Sequence, residues 1–302
     1  MKHVLSDFDL SEKDTADILD LSSKIKADIP YYGEVMKGKT LMLFFELASL
    51  RTRVSFEAGF NQLGGHAIFY NIEGGKFTRD EALEDGIKNT SRYCDFIMAR
   101  VLKQDALERM GKASEVPVIN GMTEAYHPCQ TLGDLLTIKE KKGKLAGINL
   151  IYVGDGGCNT ANSTMIGGTS MGLNVTIACP DDPRYSPSPA LLKRLKGKVN
   201  VVHDAAEGIK GAEVIYTDVA VSAGMEANRE ERFKVFKPFQ VNIDLVRKAE
   251  RDAIVMHCLP AHLGYEITRD VMYSVQSVVF DQAENRMHAQ KGLLVWLKGT
   301  CK

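Results

Sequence analysis

The sequence predicts an α/β protein of two domains, each a parallel sheet flanked by helices, with an active cleft between them. Three observations lead there. Short, continuously apolar runs such as Thr40 to Phe45 lack the alternation of a half-solvated sheet and fit strands buried on both faces. They alternate with segments of helical periodicity, the arrangement of parallel strands joined by helical crossovers. At 302 residues the chain also exceeds a usual single domain of roughly 100 to 200 residues.

In order along the chain, Ser11 to Lys26 reads as a first helix. Ala16, Ile18, Leu19, Leu21 and Ile25 recur at helical spacing behind a Ser11-Glu12-Lys13-Asp14 capping box. The apolar run Thr40 to Phe45 is the first strand, and Arg51 to Leu63 returns to a helical pattern that stops at Gly64-Gly65. Phe96 to Val101 and Val116 to Ile119 are further strands, followed by a helix over Thr131 to Lys141. The charged, glycine-bearing stretch from Lys139 to Gly147 is the expected domain junction. Beyond it six strands are expected: Asn149 to Val153, Asn174 to Ala178, Val199 to Val202, Val214 to Tyr216, Ala253 to Met256 and Ser277 to Phe280. The expected domains are residues 1–142 and 143–287, with a C-terminal helix at about 288–302 packing back on the first.

Composition narrows the function. With 38 Lys plus Arg against 39 Asp plus Glu the net charge is -1, which disfavours a nucleic-acid binder but leaves room for a local site for a small anion. Acidic residues at Asp7 and Asp9 stand where a signal peptide needs an apolar core, and no run is long enough to span a membrane; a cytoplasmic location is expected. Six cysteines without a CxxC pair suggest reduced thiols rather than a disulfide frame or structural zinc.

Several motifs match on letters alone. Gly33 to Thr40 fits the P-loop pattern of a nucleotide hydrolase, but a P-loop needs an apolar strand before the glycines and a helix after the lysine, and here the strand follows. Gly168-Thr169-Ser170-Met171-Gly172 fits a nucleophile elbow, yet it precedes a strand and reads better as a glycine-stopped helix end. Gly154-Asp155-Gly156-Gly157 follows a strand as a dinucleotide fingerprint would, but Asn159 stands at the third glycine position.

The chemistry-bearing residues fall at the ends of apolar runs, where open α/β sheets bind ligands. Ser49-Leu50-Arg51-Thr52-Arg53 joins a strand to a helix and combines hydroxyls, guanidinium groups and helix N-terminal N–H groups, a set suited to a phosphate dianion. Arg100 ends a strand, His127-Pro128-Cys129-Gln130 opens a helix, His257-Cys258-Leu259-Pro260 ends another strand, and Glu284-Asn285-Arg286 lies near the C-terminus.

Taken together, Ser49 to Arg53, Met98 to Val101, His127 to Gln130, His257 to Pro260 and Ala283 to Arg286 closely resemble the ornithine/aspartate carbamoyltransferase family, in that family's order from about residue 38 onward. His-Cys-Leu-Pro points to its ornithine branch, as does Asp218-Val219-Ala220-Val221-Ser222-Ala223-Gly224. The resemblance implies transfer of the carbamoyl group of carbamoyl phosphate to the side-chain amine of ornithine, with no metal or cofactor, in a homotrimer. It implies that Ser49, Arg51, Thr52 and the Leu50 backbone cradle phosphate and that Arg100 bridges the phosphate and carbamoyl ends. His127, Gln130, Arg286, Cys258 and Leu259 surround the carbamoyl group on this reading. Asn159, Asp218 and Ser222 hold the amino acid, Ala223 lies in the same loop, and Cys258 orients or deprotonates the amine. Arg51, Arg100, His127 and Cys258 are the expected catalytic set.

The chain departs from the branch pattern at Leu47, Leu50, Cys158, Ala220, Ala223 and Leu263. Ala220 and Ala223 remove bulk beside the amino acid, so another diamino acid or amine is the second expectation. A nucleotide hydrolase dependent on Lys39, or a carbamoyl phosphate binder without turnover, stand behind it.

Overall fold

A computed structural model of the chain describes residues 2–72, 81–221 and 228–300. The chain divides into two compact units, Met1–Leu136 with Glu284–Lys302, and Thr137–Ala283.

In the first unit the described strands are β1 (Thr40–Phe45), β2 (His66–Asn71), β3 (Phe96–Arg100) and β4 (Val118–Met122), in the order β2-β1-β3-β4 and all parallel. Leu41, Leu43, Phe44 and Phe45 of β1 are buried, and side chains of this size stabilise by about 1.5–3 kcal/mol each when removed from water. β2 is absent from the sequence reading: it is an edge strand whose Ile68 and Tyr70 stay exposed, and its apolar residues Ala67 to Tyr70 show no alternation of apolar and polar side chains. The N-terminus adds a bridge on the far edge: Val4 N–H donates to Val118 O (2.9 Å), and Asn120 N–H donates back to Val4 O (2.8 Å). The helix Glu12–Ala27 starts at Ser11 with the expected capping box.

In the second unit β5 (Asn149–Val153), β6 (Asn174–Ala178), β7 (Val199–Val202), β8 (Val214–Thr217) and β9 (Ile254–His257) form a parallel sheet in the order β7-β6-β5-β8-β9. The sixth expected strand, Ser277 to Phe280, is corrected. Ser277 makes only an isolated bridge to Val255, and Val279 already begins the helix Val279–Thr300. The run is apolar because Val278 and Val279 are buried; a short apolar run does not distinguish a strand from a helix start.

Both sheets have a point where the chain reverses its direction of travel across the strands, between β1 and β3 in one and between β5 and β8 in the other. Loops leaving the carboxyl ends of two such strands diverge to opposite faces and leave a crevice for a ligand. Within the first unit three helices, Glu12–Ala27, Pro128–Lys142 and Val279–Thr300, approach closely. A Cβ on Gly133 would meet Arg286 Cα at 3.1 Å and N at 3.2 Å, and one on Gly292 would meet Ser22 Oγ at 2.0 Å. No helix among the described residues is long and apolar enough to cross a membrane.

Candidate active site

In the first unit, Ser49 caps the helix Leu50–Gln62 that follows β1, its Oγ accepting from Thr52 N–H at 3.4 Å. Thr52 is fully buried, and its hydroxyl is the meeting point of three side chains. Thr52 Oγ1 accepts from Ser49 Oγ at 3.1 Å, from Arg100 Nη1 at 3.2 Å and from Arg286 Nη2 at 3.1 Å. A hydroxyl oxygen has two lone pairs, so three donors oversubscribe it. Two guanidinium groups therefore converge on a neutral oxygen at a helix N-terminus, where an anion would serve both better.

Arg100 reaches this point as the last residue of β3, and Arg286 from the helix Val279–Thr300. Leu50 is 76% exposed and Arg51, beside it, is half-buried on the same first turn. His127 precedes the helix Pro128–Lys142, accepting at its carbonyl from Gln130 N–H at 2.9 Å. Its ring is buried; burial first, then the charges of Arg286 and Arg100, hold its pKa well below the ordinary histidine value, so the imidazole is neutral. Gln130, also buried, donates Nε2–H to Asp134 Oδ1 at 2.7 Å. Cys129 donates to Asn120 O at 3.3 Å, and burial pushes its thiol up to about 12.

In the second unit, Asp218 follows β8 and gathers the other group. It accepts from Cys258 Sγ at 2.9 Å and Val219 N–H at 2.7 Å on Oδ1, and from Thr160 Oγ1 at 2.9 Å on Oδ2. Asn159 opens the helix after β5, and its Oδ1 accepts from the same Thr160 hydroxyl at 3.4 Å. Cys158 caps that helix and lies 3.1 Å from Tyr152 Oη; burial raises the pKa of both.

The turn carrying Cys258 and Leu259 is fixed by His257. Leu259 N–H donates to His257 Nδ1 at 2.9 Å, so the ring proton sits on Nε2 and faces Glu266 Oε1 at 3.1 Å. This bond holds Leu259 at φ 60°, the left-handed region that costs a branched side chain of order 1–3 kcal/mol. Asp218, His257 and Cys258 place ligand-type atoms within 4.8 Å of one another, but both His257 nitrogens are committed to these bonds, leaving a thiol and a carboxylate.

Ser222 and Ala223 lie outside the described residues. Ala220 is buried beside Tyr185 and Phe236. Thr160, Tyr152 and Glu266 were missed by sequence reasoning. Hydroxyls and carboxylates inside apolar-flanked segments carry no spacing signal; only Thr160, next to Asn159, was within reach.

The rival motifs resolve on geometry. Lys39 pairs with Asp95 Oδ1 at 2.8 Å, and the glycine loop runs into β1 rather than into a helix, so the P-loop arrangement is not formed. Ser170 ends the helix Asn159–Ser170, with Leu173 N–H donating to Gly168 O at 2.9 Å around Gly172 at φ 78°, a glycine helix stop.

Comparison with known proteins agrees. Residues 2–140 match the description "Aspartate/ornithine carbamoyltransferase, carbamoyl-P binding domain", and residues 146–297 match "Aspartate/ornithine carbamoyltransferase, Asp/Orn binding domain". The chain belongs to the aspartate/ornithine carbamoyltransferase family. Among similar family members, the ornithine carbamoyltransferase of Thermococcus kodakarensis is 48% identical over 275 residues, covering 89% of this chain and 86% of that one. That of Mycolicibacterium smegmatis is 45% identical over 303 residues and covers 98% of both. Of solved structures, the ornithine carbamoyltransferase from Pyrococcus furiosus superposes with a TM-score of 0.94 at 44% identity, covering 100% of this chain and 98% of that one. The ornithine transcarbamoylase from Giardia lamblia gives 0.91 at 31%, covering 100% and 99%.

Proposed function

We propose that the protein is a carbamoyltransferase that moves the carbamoyl group of carbamoyl phosphate to the side-chain amine of L-ornithine, giving citrulline and phosphate. The observation that carries this reading is the convergence of Arg100 and Arg286 on Thr52 at the Ser49-capped helix start, beside a buried neutral His127. The unit Met1–Leu136 with Glu284–Lys302 binds carbamoyl phosphate, and Thr137–Ala283 binds the amino acid. The similarity to ornithine carbamoyltransferases over nearly the whole chain supports the choice of substrates.

The neutral amine attacks the carbamoyl carbon, a tetrahedral oxyanion forms, and the carbon–oxygen bond to phosphate breaks. The amine proton ends on the departing phosphate. Ser49, Thr52, Arg51, Arg100 and the Leu50 N–H hold the phosphate oxygens. Arg100, Arg286 and His127 face the carbamoyl oxygen, where preorganised donors lower the barrier most. His127 acts as a neutral N–H donor, and Gln130 and the Leu259 carbonyl bind the carbamoyl NH2. The arginines supply the positive charge, so this chemistry needs no metal.

The ornithine side-chain amine is protonated at neutral pH, with an unperturbed pKa near 10 like that of lysine. The Asp218–Cys258 pair orients it and takes part in its deprotonation. Asn159, Asp218 and Ser222 hold the α-amino and carboxylate groups, with Ala223 in the same loop. Function in the cytoplasm and assembly as a homotrimer complete the proposal; scattering mass in solution tests the trimer. A relative from Pyrococcus furiosus, 47% identical over 275 residues, bears the name of an anabolic ornithine carbamoyltransferase, which supports the citrulline-forming direction for this chain.

The test is a product assay with carbamoyl phosphate against ornithine, lysine, shorter diamino acids, putrescine and acylated ornithines. Citrulline from ornithine is the expected result. Activity on none of them refutes the enzyme reading, and preference for another amine refutes the substrate.

A further inference from the structure

We propose that Arg232 is a positioning residue for the amino-acid half of the site, fastening together the loops that leave β5, β6 and β8. The inference rests on the ornithine reading above, and it concerns a residue outside every motif that led there. Arg232 sits on the helix Arg229–Phe236 and is buried. Its Nη2 forms an ion pair with Asp155 Oδ2 in the glycine loop after β5, and its Nε donates to the carbonyl of Ala220, after β8. Its guanidinium also lies 5.1 Å from the ring centroids of both Tyr185 and Phe236, and Tyr185 belongs to the loop after β6.

Each contact is one step from an amino-acid ligand. Asp155 Oδ1 accepts from Gly157 N–H at 3.0 Å, and Asp155 O accepts from Cys158 N–H at 3.4 Å, setting the turn that delivers Asn159 to its helix start. Gly156 N–H donates to Tyr185 O at 2.9 Å, and a Cβ there would meet Ile177 at 2.8 Å, so the turn is pressed against the β6 side. Ala220 lies two residues after Asp218, whose carboxylate accepts from Cys258 and Thr160. Arg232 thus sets the spacing between the Asn159 turn and the Asp218 turn, which leave the neighbouring strands β5 and β8 at the point of reversal in the sheet. A planar fork with separately directed N–H groups can hold a carboxylate and a carbonyl at once; a lysine ammonium on a flexible stem holds one in place of the other.

The experiment varies both substrates in steady-state kinetics for Arg232→Lys and Arg232→Met, and follows Cys258 alkylation by site-resolved mass spectrometry. Misplacing Asn159 against Asp218 should raise the KM for ornithine roughly tenfold to a hundredfold in Arg232→Met and less in Arg232→Lys, with the KM for carbamoyl phosphate within about twofold of the original. Cys258 should alkylate faster as its bond to Asp218 loosens. If Arg232→Met gives no folded protein, Arg232→Met with Asp155→Asn removes the stranded buried carboxylate and carries the same measurement. An unchanged ornithine KM, or equal movement of both KM values with a lowered Tm, overturns the proposal in favour of a purely structural ion pair. Failure of the unaltered protein to carbamoylate ornithine refutes the functional reading instead, and the Cys258 alkylation rates then judge Arg232 alone.

Discussion

Arg100 offers the sharpest test of the proposed phosphate site, because its charge and its hydrogen bonds can be removed separately. Its Nη1 lies 3.2 Å from Thr52 Oγ1, where an anion oxygen would compete for it, and its charge is the third cause, after burial and Arg286, of the lowered His127 pKa. A hydrogen bond to a charged group contributes about 1.5–3 kcal/mol, or roughly ten- to over a hundredfold in kcat/KM. Arg100→Lys keeps the charge and loses the fork, so kcat/KM should fall by about that much. Arg100→Met loses the charge as well and should fall by roughly a thousandfold or more. The second readout is the His127 ring titration followed by NMR. In Arg100→Met the His127 pKa should rise, while staying below the ordinary value because burial remains the largest cause; in Arg100→Lys it should hold. Citrulline formation within a few-fold of the original in Arg100→Met, or a His127 titration blind to both substitutions, refutes the arrangement.

Three further outcomes follow from the same geometry. His127 is neutral when folded and protonates when unfolded, so below about pH 6.5 the unfolded state binds the extra proton and stability is lost as the pH drops, by up to about 1.4 kcal/mol per pH unit from this residue; urea unfolding of His127→Gln should show a flatter slope. Iodoacetamide at pH 8 should spare Cys129, whose thiol burial pushes up to about 12, and label the half-buried Cys258, with saturating ornithine protecting the latter in a peptide map. Gly133→Ala sets a Cβ 3.0 Å from Arg286 Cγ and should cost about 1–3 kcal/mol in thermal unfolding while raising the KM for carbamoyl phosphate more than that for ornithine.

The residues that carry chemistry were more legible than the fold around them. Ser49, Thr52, Arg100, His127 and Cys258 were legible because their segments lie near the ends of apolar runs, and strands buried on both faces make such ends easy to see, whereas Asn159 and Asp218 came only with the family resemblance. β2 was invisible because an edge strand need not bury either face, and Ser277 to Phe280 was misread because apolar character does not report backbone conformation. The helix Gln104–Ala113 escaped for a related reason: only Leu107, Met110 and Gly111 are buried on it, too narrow a stripe to stand out among polar neighbours. Arg232 was beyond sequence reasoning altogether. Its partners Asp155 and Ala220 lie 77 and 12 positions away, and only the order of strands in the sheet brings their loops together.

The near-zero net charge of -1 also takes on a different meaning beside the site geometry. Most described arginines outside the site have a carboxylate close by, as Arg109 does in Glu84, Arg184 in Asp182 and Arg232 in Asp155. Arg100 and Arg286 both donate to the hydroxyl of Thr52, and their charges help to keep the histidine beside them neutral. Like charges brought together around one oxygen repel one another, and a dianion bound between them would offset that repulsion. A neutral His127 follows from the same crowding. A protonated imidazole would add a third cation to the same cluster, whereas a neutral ring can still donate one N–H to a developing oxyanion. The positive field proposed to bind phosphate and the uncharged donor proposed for the carbamoyl end are thus two results of one cluster of arginines.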